Sequence, residues 1–226
     1  RPADYAIGTY CHEFGHTIGL PDLYDPVAAG LGFYSLMGLG NYLPFNGEGV
    51  FGSVPGSLDA WSRQFLGFDP IVTPAAGGRY SLGPATGGGG SLRIWSNGEP
   101  GSEYFLLENR QKTGSDRYLP GDGLLIYHVD DRNQDNISGP SFYRVRVVAA
   151  DGLDELESSL GNFGDDQDFW PGTLLRRNWT EATTPDSRDY AGFDTAVRLA
   201  NIAGGSVDGS DSVSFDLVLS SRPELR

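Results

Sequence analysis

Glycine and proline interrupt this chain too often for long helices to dominate it: 33 Gly and 14 Pro fall within 226 residues. Glycine leaves the backbone unrestrained and proline removes a donor and fixes φ, so such a chain folds into turns and short strands and not a helical bundle. One stretch escapes this. Ala3 to Leu20 reads as a single helix, with Pro2 where an N1 proline is tolerated, Gly19 as a stop and Pro21 forbidding continuation. Pro21 to Gly56 is Gly- and aromatic-rich with little periodicity, and a loop of that length inside a compact domain is usually functional. Leu58, Trp61, Phe65 and Leu66 then fall at helical spacing, with Ser57 as N-cap, Asp59 in the first turn and Gly67 past the end.

After Gly67 the pattern changes to short β-branched and aromatic runs between Gly, Pro, Asn and Asp clusters. Strands are expected at Arg79–Leu82, Ser91–Trp95, Glu103–Asn109, Gly123–Val129, Tyr143–Ala149 and Ser212–Leu219. The boundary falls near Phe68 to Thr73. Apolar residues make up 38% of the chain, enough for a true core, and no apolar run is long enough to span a bilayer. A net charge of −14 argues against nucleic-acid and anionic-membrane surfaces, which need clustered cations. A single cysteine, Cys11, excludes an intramolecular disulfide framework.

One segment carries chemistry: His12-Glu13-Phe14-Gly15-His16-Thr17-Ile18-Gly19-Leu20-Pro21-Asp22. Residues four apart share a helix face, about 5–6 Å apart at Cβ, so His12 and His16 can close on one metal ion. Glu13 points beside that ion, where its carboxylate can hold and deprotonate a water. Neutral imidazoles and a carboxylate suit zinc. Gly19 lets the chain turn sharply and bring Asp22 back as a third ligand, with Asp25 the alternative. Cys11 is turned about 100° from His12 and reads as a small core residue. No serine lies in a G-x-S-x-G context.

HEFGHTIGLPDLYD followed by YSLMG resembles the metzincin zinc endopeptidases, most closely the immune inhibitor A family of secreted metalloproteases. LDAWSRQFLGF, YFLLENRQ, LPGDGLLIYHVDD and GDDQDFWPGT resemble that family's downstream region. The resemblance implies His12, His16 and Asp22 as zinc ligands, Glu13 as general base and Met37 as the methionine of the turn beneath the metal. It implies an α+β fold: a truncated zincin-like catalytic portion over residues 1–68 (active-site helix, Met-turn, second helix), then a β-sandwich-like region over residues 69–226. In metzincins a sheet-bearing half precedes the active-site helix, and little chain precedes His12. The expectation is therefore the C-terminal part of a catalytic domain within a longer, secreted enzyme, itself weakly active without that half. Its partners would be protein or peptide substrates.

Other residues have weaker claims. His128, closing a predicted strand, is a candidate substrate contact, or else a buried histidine bonded to a neighbour. Tyr34 and Tyr42 are candidates to stabilise an oxyanion. Asp130, Asp131, Asn133 and Asp135 in one loop, and Asp165, Asp166 and Asp168 in another, are possible calcium ligands, since oxygen donors at alternate positions suit that ion. The alternative to an endopeptidase is a non-catalytic acidic, calcium-binding β-sandwich module with a vestigial metal helix.

Overall fold

A computed structural model describes residues 6–45, 49–137, 139, 143–158 and 161–219. Helix α1 spans Ile7–Thr17, α2 Ala60–Phe65 and the short α3 Glu155–Ser158. The strands are β1 Gly78–Leu82, β2 Ser91–Trp95, β3 Glu103–Arg110, β4 Gly123–Asp130, β5 Val145–Val147, β6 Val197–Gly205 and β7 Ser210–Leu219. They form two antiparallel sheets, ordered β2-β3-β4-β5 and β1-β7-β6. The chain is thus α+β, as expected, with few helices. The expected start of α1 at Ala3, and Pro2 before it, lie outside the described residues.

The four-stranded sheet is the middle of three layers. Successive side chains of a strand point to opposite faces, and here both faces are buried. Tyr104 and Leu106 of β3 with Leu125, Tyr127 and Val129 of β4 pack into a core shared with Leu23, Leu31, Tyr34, Met37 and Trp61 of the N-terminal segment. Phe105, Leu107, Leu124 and Ile126 face the second sheet across another core, meeting Leu199, Val213 and Phe215. The first core therefore runs across the sequence boundary near residue 68.

Three local expectations change. The N-cap of α2 is Asp59, not Ser57: its Oδ1 accepts the Ser62 N–H at 2.9 Å. The Ser57 N–H instead donates to Asp116 Oδ1 at 2.8 Å. The strand expected over Tyr143–Ala149 pairs only at Val145–Val147. β6 was not expected, because its pairing with β7 shifts register between Ala200 and Ala203 and Asn201 has a φ of 52°, which breaks the alternation that marks a strand.

Opposite charges at the middle sheet hold the N-terminal segment to it. Arg110, fully buried, donates to both Asp116 oxygens at 2.7 and 2.8 Å, to Glu108 Oε1 at 3.2 Å and to the Tyr34 carbonyl at 2.7 Å. Arg63 of α2 reaches Glu108 Oε2 at 2.8 Å, and the Tyr127 hydroxyl donates to Glu108 Oε1 at 2.5 Å. Burial alone would push the Glu108 carboxyl up, but Arg63 and Arg110 hold it below the usual range. Burial likewise opposes the Asp116 charge and Arg110 overcomes it. Arg110→Met would leave two buried carboxylates short of a cation, and an unpaired buried charge costs about 3–5 kcal/mol. Urea unfolding should show a loss of that size, larger than any loss from the exposed Arg79→Met.

Candidate metal centre

Helix α1 can lie against the segment around residue 37 only because residue 15 is glycine. A Cβ there would stand 2.4 Å from Met37 Sδ. Met37 is itself fully buried. The helix ends at Thr17, and Gly19, at φ 101°, reverses the chain: the Leu20 N–H donates back to the Gly15 carbonyl at 3.1 Å. That conformation favours glycine. The reversal carries Asp22 back over the last turns of α1.

His12, Asp22 and His16 converge there. His12 Nε2 lies 3.1 Å and His16 Nε2 3.3 Å from Asp22 Oδ1. The imidazole rings meet edge-on, centroids 4.8 Å apart. The other nitrogen of each ring faces a backbone carbonyl, His12 Nδ1 that of Leu36 and His16 Nδ1 that of Leu20, each at 2.9 Å. A carbonyl only accepts, so each Nδ1 carries hydrogen and Nε2 is the ring nitrogen turned to Asp22. One atom from each of the three residues lies within 4.8 Å of the others. Two neutral imidazoles and a carboxylate around one point are a donor set that fits zinc.

Glu13 is exposed, one residue on from His12 along α1, and among the described residues no hydrogen bond engages its carboxylate. Asp25 goes elsewhere. It is buried, its Oδ1 accepts the Val27 and Ala28 N–H groups at 2.7 and 3.0 Å, and its Oδ2 takes the Tyr143 hydroxyl at 3.3 Å. Between the two candidate carboxylates, then, Asp22 is the one brought to the imidazoles.

Two residues that sequence reasoning passed over shape this site. Asn136, fully buried in the loop before β5, donates its N–H to the Asp22 carbonyl at 3.2 Å and its Nδ2 to the Leu23 carbonyl at 3.2 Å, tying that turn to the sheet. Nothing in a lone asparagine within an acidic loop signals this. Tyr24 stands with its ring 6.2 Å from that of His12. Partial burial, then the charges of Asp22 and Glu13 and the Tyr42 phenol, push its hydroxyl up. Its place two residues beyond Asp22 was the available clue.

The remaining candidates are distributed differently from expectation. Tyr34 does not reach the site: fully buried, its hydroxyl lies 2.5 Å from Asp168 Oδ2 and 2.8 Å from the Asp165 carbonyl. Tyr42 is half-buried and stacked on Phe51. His128 lies on the face of β4 opposite Tyr127 and Val129, its Nε2 2.9 Å from Glu103 Oε1 and its ring stacked on Tyr190 at 3.9 Å. There it is buried and hydrogen-bonded, and it is not in the group formed by His12, His16 and Asp22. In the first acidic loop the groups are taken up separately: Asp130 by Arg132, Asp131 by the Trp61 indole, Asp135 by the Ile137 N–H, while the Asn133 amide donates to the Tyr143 carbonyl. In the second, Asp165 and Asp168 gather with Asp151, and Asp166 is not one of the group. Cys11 is a half-buried free thiol.

The helix and the sharp turn after it thus bring three side chains that could hold a metal ion to one point. Residues 1–69 match the model of the immune inhibitor A peptidase M6 catalytic domain, and the chain is related to that family through this region. Over 70 residues the chain is 37% identical to the pre-pro-metalloprotease PrtV of Vibrio cholerae serotype O1, in strain M66-2 and in strain ATCC 39315. The match takes in 29% of this chain and 7% of the length of those relatives.

The second acidic loop has a consequence for stability. Burial raises the Asp168 carboxyl to about 7, with Asp165 and Asp151 adding to the shift against the Tyr34 bond. Because the folded-state value lies above the unfolded one near 3.8, Asp168 favours the native state at low pH and that contribution is lost as pH rises from about 4 through 7. In chelator, stability should fall over this window by up to about 1.4 kcal/mol per pH unit. Asp168→Asn should flatten that slope in urea titrations at pH 5, 6, 7 and 8.

Proposed function

We propose that this chain forms part of a zinc-dependent, metzincin-like endopeptidase that hydrolyses peptide bonds in proteins. Residues 1–68 would be catalytic-domain sequence of zincin type and residues 69–226 a β-rich unit packed on it through the shared core. The observation that carries the reading is the convergence of His12, His16 and Asp22 on one point, with Glu13 next to His12 along the same helix. The match of residues 1–69 to a peptidase catalytic domain supports it. So does the word metalloprotease in the names of the relatives. Their "pre-pro" designation supports export from the cell. The proposal needs no calcium.

His12, His16 and Asp22 would hold the zinc, with Met37 packed beneath α1. When bound, the ion supplies Lewis acidity toward a substrate carbonyl and acidifies water. The protein's own groups do the rest. Glu13, exposed and unengaged, takes a proton from the attacking water and returns it to the departing amide nitrogen. The carbonyls of Leu36 and Leu20 keep both imidazoles in the tautomer whose Nε2 faces the cluster. Tyr24, with its ring 6.2 Å from that of His12, would be the phenol that donates to an oxyanion, since the Tyr34 hydroxyl is taken by Asp168.

In the full-length protein Glu13→Ala should keep its zinc and lose about a hundred- to ten-thousand-fold in kcat on a protein substrate. Asp22→Ala should lose the zinc as well. Metal content by plasma mass spectrometry beside protease assays separates the two. Unchanged turnover in Glu13→Ala would overturn the peptidase reading in favour of a non-catalytic module, and zinc retained by Asp22→Ala would point to a zincin with a different third ligand.

A further inference from the structure

The Leu36–Met37 peptide unit is bonded at both ends. Its carbonyl accepts from His12 Nδ1 at 2.9 Å. Its N–H, on Met37, donates to Ser35 Oγ at 3.0 Å. The Ser35 hydroxyl donates in turn to Asp59 Oδ2 at 2.6 Å. A single file of hydrogen bonds therefore runs from the Asp59 carboxylate, through a hydroxyl and one amide, to the ring of His12. Most of it is buried: Ser35 and Asp59 are fully buried, Met37 likewise, His12 is 5% exposed, and Leu36 is half-buried. Asp59 is held by its own helix, where the Ser62 N–H and hydroxyl donate to its two oxygens at 2.9 and 2.7 Å.

Every bond in the file points the same way, with donors aimed at Asp59 and acceptors at His12. A carboxylate draws the Ser35 proton toward itself and leaves Oγ a stronger acceptor. The Met37 N–H then gives up more charge, and through the conjugated amide the Leu36 oxygen becomes more negative. Bonds arranged in this sense strengthen one another in a low-dielectric interior. The last effect falls on the imidazole: a more negative partner at Nδ1–H makes Nε2 a better donor to a cation. Carboxylates and carbonyls that accept from metal-bound histidines commonly have this effect directly. Here the carboxylate stands two groups further back.

We infer that Ser35 and Asp59 are positioning residues for the metal centre, acting on His12 through the Leu36–Met37 peptide to fix its tautomer and raise its affinity for the ion. The inference rests on the metal-centre reading above. It assigns α2, whose N-cap is Asp59, a part in metal binding that its position in the chain does not suggest, since Asp59 and His12 are bridged only through residues 35–37.

The test is zinc affinity of the full-length protein by chelator competition, together with the visible ligand-field bands of its Co(II)-substituted form. Ser35→Ala interrupts the file and should weaken zinc binding about ten- to a hundred-fold, in the range seen when such partners are removed. Asp59→Asn keeps a capping oxygen for Ser62 but opposes an amide donor to the Ser35 hydroxyl. It should weaken zinc in the same direction, and it serves if Ser35→Ala does not fold. Both variants should shift the Co(II) bands. Zinc affinity within twofold of wild type in either folded variant overturns the inference. So does weakened zinc with unshifted bands, which would mark Ser35 and Asp59 as structural only. If the wild-type protein takes up no zinc, it is the metal-centre reading that fails, a different result from a wild type that binds zinc and variants that bind it equally well.

Discussion

The structure depends on a buried ionic contact at the end of β3. Arg110 carries its charge into the interface between the middle sheet and the N-terminal segment, where Asp116 and Glu108 neutralise it and the Tyr34 carbonyl accepts from it. An ion pair inside a protein gives little net stability, but one partner alone would be severely penalised, so the set forms only in one mutual arrangement. That arrangement fixes where residue 34 stands. The next residues, Ser35 to Met37, are then committed in turn: Ser35 to Asp59, the Leu36 carbonyl to His12, the Leu36 N–H to the Ser57 carbonyl, and the Met37 carbonyl to the Leu23 N–H. A short, non-repetitive segment thereby becomes as determined as a strand.

The alternation of β3 explains how one strand serves two partners. Glu108 and Arg110 share a face with Tyr104 and Leu106 and look toward the helices. Asn109 points the other way and donates its Nδ2 to the Leu82 and Asp211 carbonyls, one at the end of β1 and one on β7. The three consecutive residues Glu108-Asn109-Arg110 thus tie both outer layers to the middle sheet with polar groups, while Phe105 and Leu107 on one face and Tyr104 and Leu106 on the other supply the apolar burial. With one cysteine and no disulfide, directional bonds of this kind do the registering that covalent links do elsewhere.

How much of this was legible follows from the range of each interaction. The first helix and the convergence at its end were readable because His12, His16 and Gly19 act over one or two turns, and local spacing translates directly into geometry. Strands β2, β3 and β4 were readable because short runs rich in aliphatic and aromatic residues between turn residues have few other fates. β6 was not, since its bulge at Ala200 to Ala203 destroys the period that a reader counts. The choice between Asp22 and Asp25 was not decidable from spacing, because it depends on the turn at residues 25–28 engaging one Asp25 oxygen and on Tyr143, far away in the chain, engaging the other. Tyr34 was a candidate to stabilise an oxyanion. Its hydroxyl is instead drawn to Asp168, more than a hundred residues later. Motifs report local chemistry, and the partners that orient them come from distant segments that carry no comparable mark.

The same contrast bears on what a metal centre requires of its protein. Ligand atoms brought together by a helix and a turn would still rotate: a histidine on a helix can swing about two torsions and choose between tautomers. In this chain both imidazoles are held at Nδ1, one by the carbonyl of Leu20 in the reversal that Gly19 permits, the other by the carbonyl of Leu36. The first constraint is local and needs only the helix end. The second is not, because the Leu36 carbonyl is aimed by Ser35 and Asp59 on one side and by the Arg110 contact at Tyr34 just before it. The two histidines of one short motif therefore differ in kind: His16 is oriented by its own neighbourhood, and His12 by the whole interface between the helices and the sheet. A change that loosens that interface would reach the triad through His12 first.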